Sequence, residues 1–414
     1  MTQTGIGTSL DHIEDEARIA RRNVFLLAFA QATHYGIAPL AMAVGGLAGH
    51  YLLGADKSLA TLPITAFVLG PLFGSMPAAM LMRQIGRRFG FMTGAAFGFI
   101  GSGSACYAIL VNSFPLLCLS MMMMGISIGF AQQYRFAAAD YGSAAFRTKA
   151  ISWVLAGGLA AAVIGPQMAL FFADTFEPIE FAGSFVGGMV LSAIGFIALF
   201  FLKVPASTEV RKDETTDTSP ARPLAEIAQQ PLFMIAVICG AASYMMMSLV
   251  MTAAPIAMLA CGFSTEMSTL GIQWHVMAMF GPSFFTGNLI VRFGHAKIIG
   301  AGMLLYVICG AIALAGIELI HFWSALIALG IAWNFAFIGT TSLVTKCYQP
   351  SEKNKVQGLF DTIIFALVGG TSLMSGVLMS AYGWTVVVGV MAPLILLCTA
   401  TLALSRRRLR AVTA

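Results

Sequence analysis

Charge is what this sequence has least of. Only 10% of its 414 residues are Asp, Glu, Lys or Arg while 58% are hydrophobic, and the mean hydropathy is +0.85. A soluble domain carries roughly a quarter charged residues, so the composition excludes a water-soluble enzyme or binding module. Local chemistry is sparse as well. There is no H-E-x-x-H and no G-x-x-x-x-G-K-[ST], which removes the commonest metallohydrolase and ATP-driven pump signatures; the chain is expected to be no enzyme and to need no cofactor. Cysteine is rare, at 7 residues, and all but Cys261 and Cys347 fall in apolar runs, so a secreted disulfide framework is not indicated. No cleavable signal is expected either: residues 1–22 are polar and include Glu14-Asp15-Glu16, so the first apolar run is expected to act as the targeting signal.

Long apolar runs are what the chain has in quantity. Crossing a bilayer takes about 20 residues of helix. Runs of that kind lie near 23–47, 58–82, 90–111, 115–138, 149–172 and 182–203, then 231–260, 267–291, 297–317, 322–345, 358–381 and 384–405. The expected fold is therefore an all-α membrane protein with twelve transmembrane helices in two pseudo-symmetric six-helix halves. Its segments are a cytoplasmic 1–22, a bundle 23–203, a linker 204–230, a second bundle 231–405 and a basic tail 406–414. With both termini in the cytoplasm, all 23 Lys and Arg residues except Lys57 fall at the inner ends of the spans, as the positive-inside rule requires. The net charge of +5 thus reports topology in a bacterial inner membrane. The partner is a lipid bilayer and not nucleic acid.

The two halves repeat. Gly86-Arg-Arg answers Gly294-His-Ala-Lys, Gly70-Pro71 answers Gly281-Pro282, and Pro39 answers Pro255. Gly125-Ile-Ser-Ile-Gly-Phe-Ala131 answers Gly330-Ile-Ala-Trp-Asn-Phe-Ala336. Parallel repeats joined by a polar, flexible linker are a secondary-transporter architecture. Ala79-Met-Leu-Met-Arg-Gln-Ile-Gly-Arg-Arg88 and Gly287-Asn-Leu-Ile-Val-Arg-Phe-Gly294 resemble the loop motif of the major facilitator superfamily, roughly G-x-L-A-D-R-x-G-R-R. The basic end is present, whereas Arg83 and Val291 stand where that motif has an acid.

Two short patterns carry the candidate chemistry. Met247-Ser-Leu-Val-Met251 and His275-Val-Met-Ala-Met279 lie in the seventh and eighth spans, joined by the polar Cys261-Gly-Phe-Ser-Thr-Glu266. At helical spacing each pair shares a face, and counting inward at about 1.5 Å per residue puts the pairs at matching depths. Three thioethers and an imidazole form a soft donor set suited to Cu(I). Pro255 and Pro282 are expected to kink both helices beside it. Methionine also fills apolar gaps, and with 25 in the chain the M-x-x-x-M spacing alone reads as packing. His275 says more, because an ionisable group inside a membrane span is uncommon.

M-x-x-x-M followed by H-x-x-x-M on consecutive membrane helices resembles the CcoA-type copper importers, facilitators that supply copper for cbb3-type cytochrome oxidase. The resemblance implies copper as the transported substrate and Met247, Met251, His275 and Met279 as its ligands. It also implies roles for Cys239 and Cys261, and a cytoplasmic copper chaperone as a partner. Other polar residues in or beside the spans are candidates for the path: His34 in the first, Gln132, Gln133 and Arg135 at the end of the fourth, and Asp361. Arg135 with Asp140 reads equally well as a boundary ion pair, and Asp361 as a helix cap. Three functions follow. The first is import of copper, as Cu(I), by alternating access. The second is transport of a small organic solute such as riboflavin, for which Tyr244 and Trp333 suit a planar aromatic ring. The third is a non-transporting copper sensor or assembly factor.

Overall fold

Backbone groups in hydrocarbon must bond one another, and an apolar run does this as a helix. The computed structural model describes residues 4–139, 144–203, 222–349, 352–405 and 409, and regular structure among them is helical throughout. The first half holds α1 (Thr4–Thr33), α2 (Ile37–Leu52), α3 (Leu62–Leu110), α4 (Phe114–Ala131), α5 (Tyr134–Ala139), α6 (Ala144–Phe171) and α7 (Ala182–Phe200). After α8 (Leu224–Ala228), the second half holds α9 (Pro231–Ala260), α10 (Thr265–Phe280), α11 (Ser283–Phe293), α12 (His295–Ala315), α13 (Leu319–Val344), α14 (Lys353–Tyr382), α15 (Trp384–Gly389) and α16 (Met391–Leu404).

Ten helical stretches among the described residues are long and apolar enough to cross a membrane. The pair α10–α11, bent by 41° at Gly281–Pro282, adds an eleventh. The twelfth is hidden in α3, whose 49 residues extend about 70 Å, more than twice a hydrocarbon core of about 30 Å. Two spans meet there at Gly86, with φ 80° and ψ 160°, a conformation that costs only glycine little. Gly294 turns the chain in the same way between α11 and α12, with φ 84° and ψ 157°. The repeat seen in the sequence is therefore a repeat of backbone geometry.

The two prolines expected to kink their helices behave differently. At Pro282 the helix breaks, but α9 runs unbroken through Pro255, where every residue from Met246 to Pro255 is buried. Packing on all sides holds the turns that flank the missing hydrogen bond.

Two contact-dense units emerge, residues 1–41 with 70–214 and residues 42–69 with 215–414. In the first, Val24, Leu27, Phe91, Tyr134 and Leu199 share one core, and Asn23 ties the first span to the sixth through the Lys203 carbonyl at 2.5 Å. In the second, the Thr61 hydroxyl donates to the Ser372 carbonyl at 3.0 Å. The expected linker is only partly described, since residues 204–221 lie outside the described residues. Its last part is anchored. The Arg222 guanidinium grips Glu352 at both oxygens, at 2.8 and 2.7 Å, and the Gln349 N–H adds a bond of 2.9 Å. The Arg222 guanidinium, helped by that N–H, pulls the Glu352 carboxyl down to about 2.

Candidate functional site

The second unit gathers most of the candidate chemistry, and the packing of α10 on α13 sets its geometry. A β-carbon at Gly330 would lie 2.5 Å from the His275 carbonyl and 3.0 Å from the Met279 nitrogen, so the two helices approach as closely as glycine permits. His275, fully buried, then reaches across with Nδ1 at 2.8 Å from the Leu326 carbonyl. A carbonyl only accepts, so Nδ1 carries the hydrogen and Nε2 presents a bare lone pair. That nitrogen is buried and has no partner. The histidine is thus anchored on α13, a helix absent from the ligand pattern in the sequence. Met247 and Met251 on α9 and Met279 on α10 are all buried, at 2%, 6% and 7% exposure.

The break at Gly281–Pro282 leaves backbone groups to satisfy, and Asn334 satisfies one of them and ties in two side chains beyond the bend. Its amide donates to the Met279 carbonyl at 2.6 Å and to Ser283 Oγ at 2.7 Å, and its oxygen accepts from Thr286 Oγ1 at 2.6 Å. One buried side chain of α13 thereby holds the bend in place. Nothing in the local spacing singled Asn334 out, although a lone amide inside an apolar span is itself a signal.

Beside this bend stands a set of aromatic rings. Trp333 and Phe337 stack on α13, with centroids 5.0 Å apart and planes 17° apart. Tyr244 of α9 meets both edge-on at 5.4 and 5.0 Å, and Phe280 reaches Trp333 at 6.4 Å. Phe365 and Phe360 of α14 extend the set against Tyr244 and Phe337. Trp333 is 7% exposed, and its indole N–H is buried without an acceptor. An unmatched donor among aromatic faces suits a planar ring that bears carbonyl or nitrogen acceptors. Tyr244 and Trp333 were legible as rings suited to a planar solute; the part of Phe337 and the convergence of α9, α10, α13 and α14 were not.

The remaining candidates fall elsewhere. Cys239 is buried, with the Cys398 thiol 3.9 Å from its carbonyl; Cys261 is exposed at the end of α9; and all seven cysteines are free thiols. Among the described residues, no group of three or more His, Cys, Asp or Glu side chains is arranged to hold a metal ion, so a metal there would depend on thioethers. His34 belongs to the first unit, fully buried between Tyr134 Oη and Ser127 Oγ, each at 2.6 Å. Gln132 and Gln133 sit half-buried in the turn between α4 and α5. Arg135 lies in α5, but its side chain and the whole of Asp140 fall outside the described residues. Asp361 is exposed and lies eight residues beyond Lys353, the first residue of α14. It therefore cannot cap that helix, because a cap stands at the first turn.

The family model of the Major Facilitator Superfamily matches residues 23–284 and 277–413. The chain belongs to the major facilitator superfamily. This facilitator is 44% identical over 382 residues to the riboflavin transporter RfnT of Brucella anthropi, spanning 92% of this chain and 95% of that one. It is 29% identical over 397 residues to the MFS-type transporter YddS of Bacillus subtilis, covering 91% and 89%. Among solved structures, a D-xylose–proton symporter superposes with a TM-score of 0.71 at 13% identity, over 92% of this chain and 96% of that one. A bacterial homologue of the human lysosomal transporter Spinster, inward-facing and unoccupied, gives 0.71 at 15%, over 95% and 98%. These two structures carry the fold alone.

Proposed function

We propose that this facilitator carries riboflavin, or a closely related flavin, across the bacterial inner membrane by alternating access, with both termini in the cytoplasm. The observation that carries this reading is the Tyr244, Trp333 and Phe337 set with the unmatched Trp333 N–H. An isoalloxazine ring offers broad π faces to stack on such rings, at about 1–3 kcal/mol for a base-sized ring, and carbonyl oxygens for the indole. The 44% identity to RfnT along nearly the whole of both chains supports the same solute. The deciding experiment expresses the full chain in a riboflavin-requiring bacterium and follows labelled riboflavin. Saturable accumulation that falls in Trp333→Leu and is partly kept in Trp333→Phe is the expected result. Absence of uptake with the protein present in the membrane overturns it.

One observation favours a second reading, import of Cu(I). Nε2 of His275 is bare, buried and held by a bond at Nδ1, the tautomer a metal-ligating histidine adopts, with Met279 one helical turn away. The donor set of Met247, Met251, His275 and Met279 is uncharged, so a monovalent soft ion enters at lower cost than a divalent one. Copper uptake that silver inhibits, and that Met247→Leu or Met279→Leu abolishes, supports it. Tight copper binding without flux supports a sensor or assembly factor instead. Riboflavin uptake unaffected by silver and by the methionine substitutions removes both copper readings.

A further inference from the structure

A groove of about 370 Å³ opens at the basic end of the second unit, between α11, the start of α12 and the end of α13. One wall is polar: His295, Ser342 and Lys346. The other is apolar: Ile290, Val291 and Ile338, with Gly287 leaving open space where a side chain would stand. None of the lining residues is acidic, and among the described residues no carboxylate pairs with Lys346. His295 is 92% buried, since only 8% is exposed; Nε2 lies 3.1 Å from Ser342 Oγ, while Nδ1 is buried with no partner. With Ser342 donating to Nε2, Nδ1 carries a hydrogen that nothing in the protein accepts. His295 is also the first residue of α12, a 21-residue helix whose N-terminus has no side-chain cap. The amides of such a first turn lack helical acceptors and favour negative charge.

What covers the groove is set by its rim. Along α11 the exposed side chains include four that are large and apolar, Phe284 at 56%, Phe285 at 49%, Val291 at 89% and Phe293 at 43%, beside the polar Asn288 and Arg292. Hydrocarbon is the medium that side chains of this kind require on a membrane-spanning chain. A ligand matching both walls has an anionic head and an apolar tail. Lys346, Arg292 and Lys297 lie at the ends of spans that the positive-inside rule assigns to the cytoplasm, where the leaflet carries anionic lipid.

We propose that this groove holds the phosphate headgroup of an anionic phospholipid of the cytoplasmic leaflet. The His295 Nδ1 hydrogen and Lys346 meet the phosphate, Ser342 holds His295 in that tautomer, and the exposed face of α11 meets an acyl chain. The proposal stands whichever solute is carried.

The test uses the full chain reconstituted in phosphatidylcholine doped with phosphatidylglycerol, with retained lipid counted by native mass spectrometry. Wild type is expected to keep phosphatidylglycerol over phosphatidylcholine. Lys346→Gln and Val291→Asp should each lower that preference about fivefold, the scale of one charge near a membrane surface, while Lys346→Arg keeps it. Both positions are exposed, so neither change removes a core contact. Equal retention in wild type, K346Q and V291D overturns the proposal. So does displacement of the lipid by millimolar inorganic phosphate or glycerol phosphate, which would make the groove a plain anion site.

Discussion

Each half of this facilitator buries one histidine completely, and the two are treated in opposite ways. In the first half, His34 has both ring nitrogens engaged, one by Tyr134 and one by Ser127, whose own hydroxyl donates onward to the Gly94 carbonyl at 2.7 Å. Because Ser127 spends its hydrogen on that carbonyl, Nε2 must donate to it, and Tyr134 must donate to Nδ1. Every polar atom of that triad is satisfied. In the second half, His275 has one nitrogen fixed and one left bare. A closed polar network reads as a staple between helices, whereas an open one is a place where something else completes the set. The same contrast extends to the rings: the first half packs Phe91 edge-on to Tyr134 inside its core, while the second leaves an indole N–H unmatched among Tyr244, Trp333 and Phe337.

The largest effect expected from this contrast is on folding. His34→Leu strands the Tyr134 hydroxyl and removes a partner of Ser127, a loss of about 2–4 kcal/mol. His275→Leu breaks a single bond to a carbonyl inside α13, about 1 kcal/mol. Thermal unfolding of the purified variants checks the order, and equal destabilisation would break the comparison. Next in size is close approach. Gly330→Ala places a methyl against the His275 carbonyl and should cost about 1–3 kcal/mol, seen as a lower midpoint. Because it displaces α10 from α13, uptake should fall with it. Trp333→Leu sharpens the contrast on the functional side, since removing the stacking face should raise the half-saturating riboflavin concentration by roughly 5- to 100-fold. Trp333 is also packed among Tyr244, Phe280 and Phe337, so some stability is lost as well, and a transport assay paired with a melt separates the two effects.

The smallest effect lies outside the membrane, at the ion pair of Arg222 with Glu352. The folded carboxyl, held down to about 2, titrates below its ordinary value of 4.5. Its contribution is therefore full above about 4.5 and is lost as pH falls towards 2. Glu352→Gln should be less stable than wild type at neutral pH, and the gap should close on acidification. A gap that is constant with pH would show that the carboxylate charge contributes nothing.

Legibility differed by kind of feature. The spans were plain because hydropathy accumulates residue by residue, and the glycine turns at Gly86 and Gly294 were plain because their sequence contexts repeat. The sequence also separated the spans near 58–82 and 90–111, which run together in α3 except for the turn at Gly86. Met247, Met251, His275 and Met279 are buried on α9 and α10, but their spacing could not show which helix His275 bonds. Pro255 and Pro282 carried the same local signal, and only one ended a helix. Capping by Asp361 failed because α14 begins two turns earlier, at Lys353.

By itself, the sequence determined the class of the protein, the number of its spans, their two-fold repetition and the side on which positive charge gathers. Each of these is a sum over local composition and needs no knowledge of what touches what. Only the tertiary structure decided that His275 keeps a bare nitrogen, that Asn334 braces the bend and that four helices bring Tyr244, Phe280, Trp333, Phe337 and Phe360 together. These depend on partners about 20 to 90 positions apart in the chain, and a hydrogen bond or ring contact is settled by fractions of an ångström that no pattern along the chain encodes.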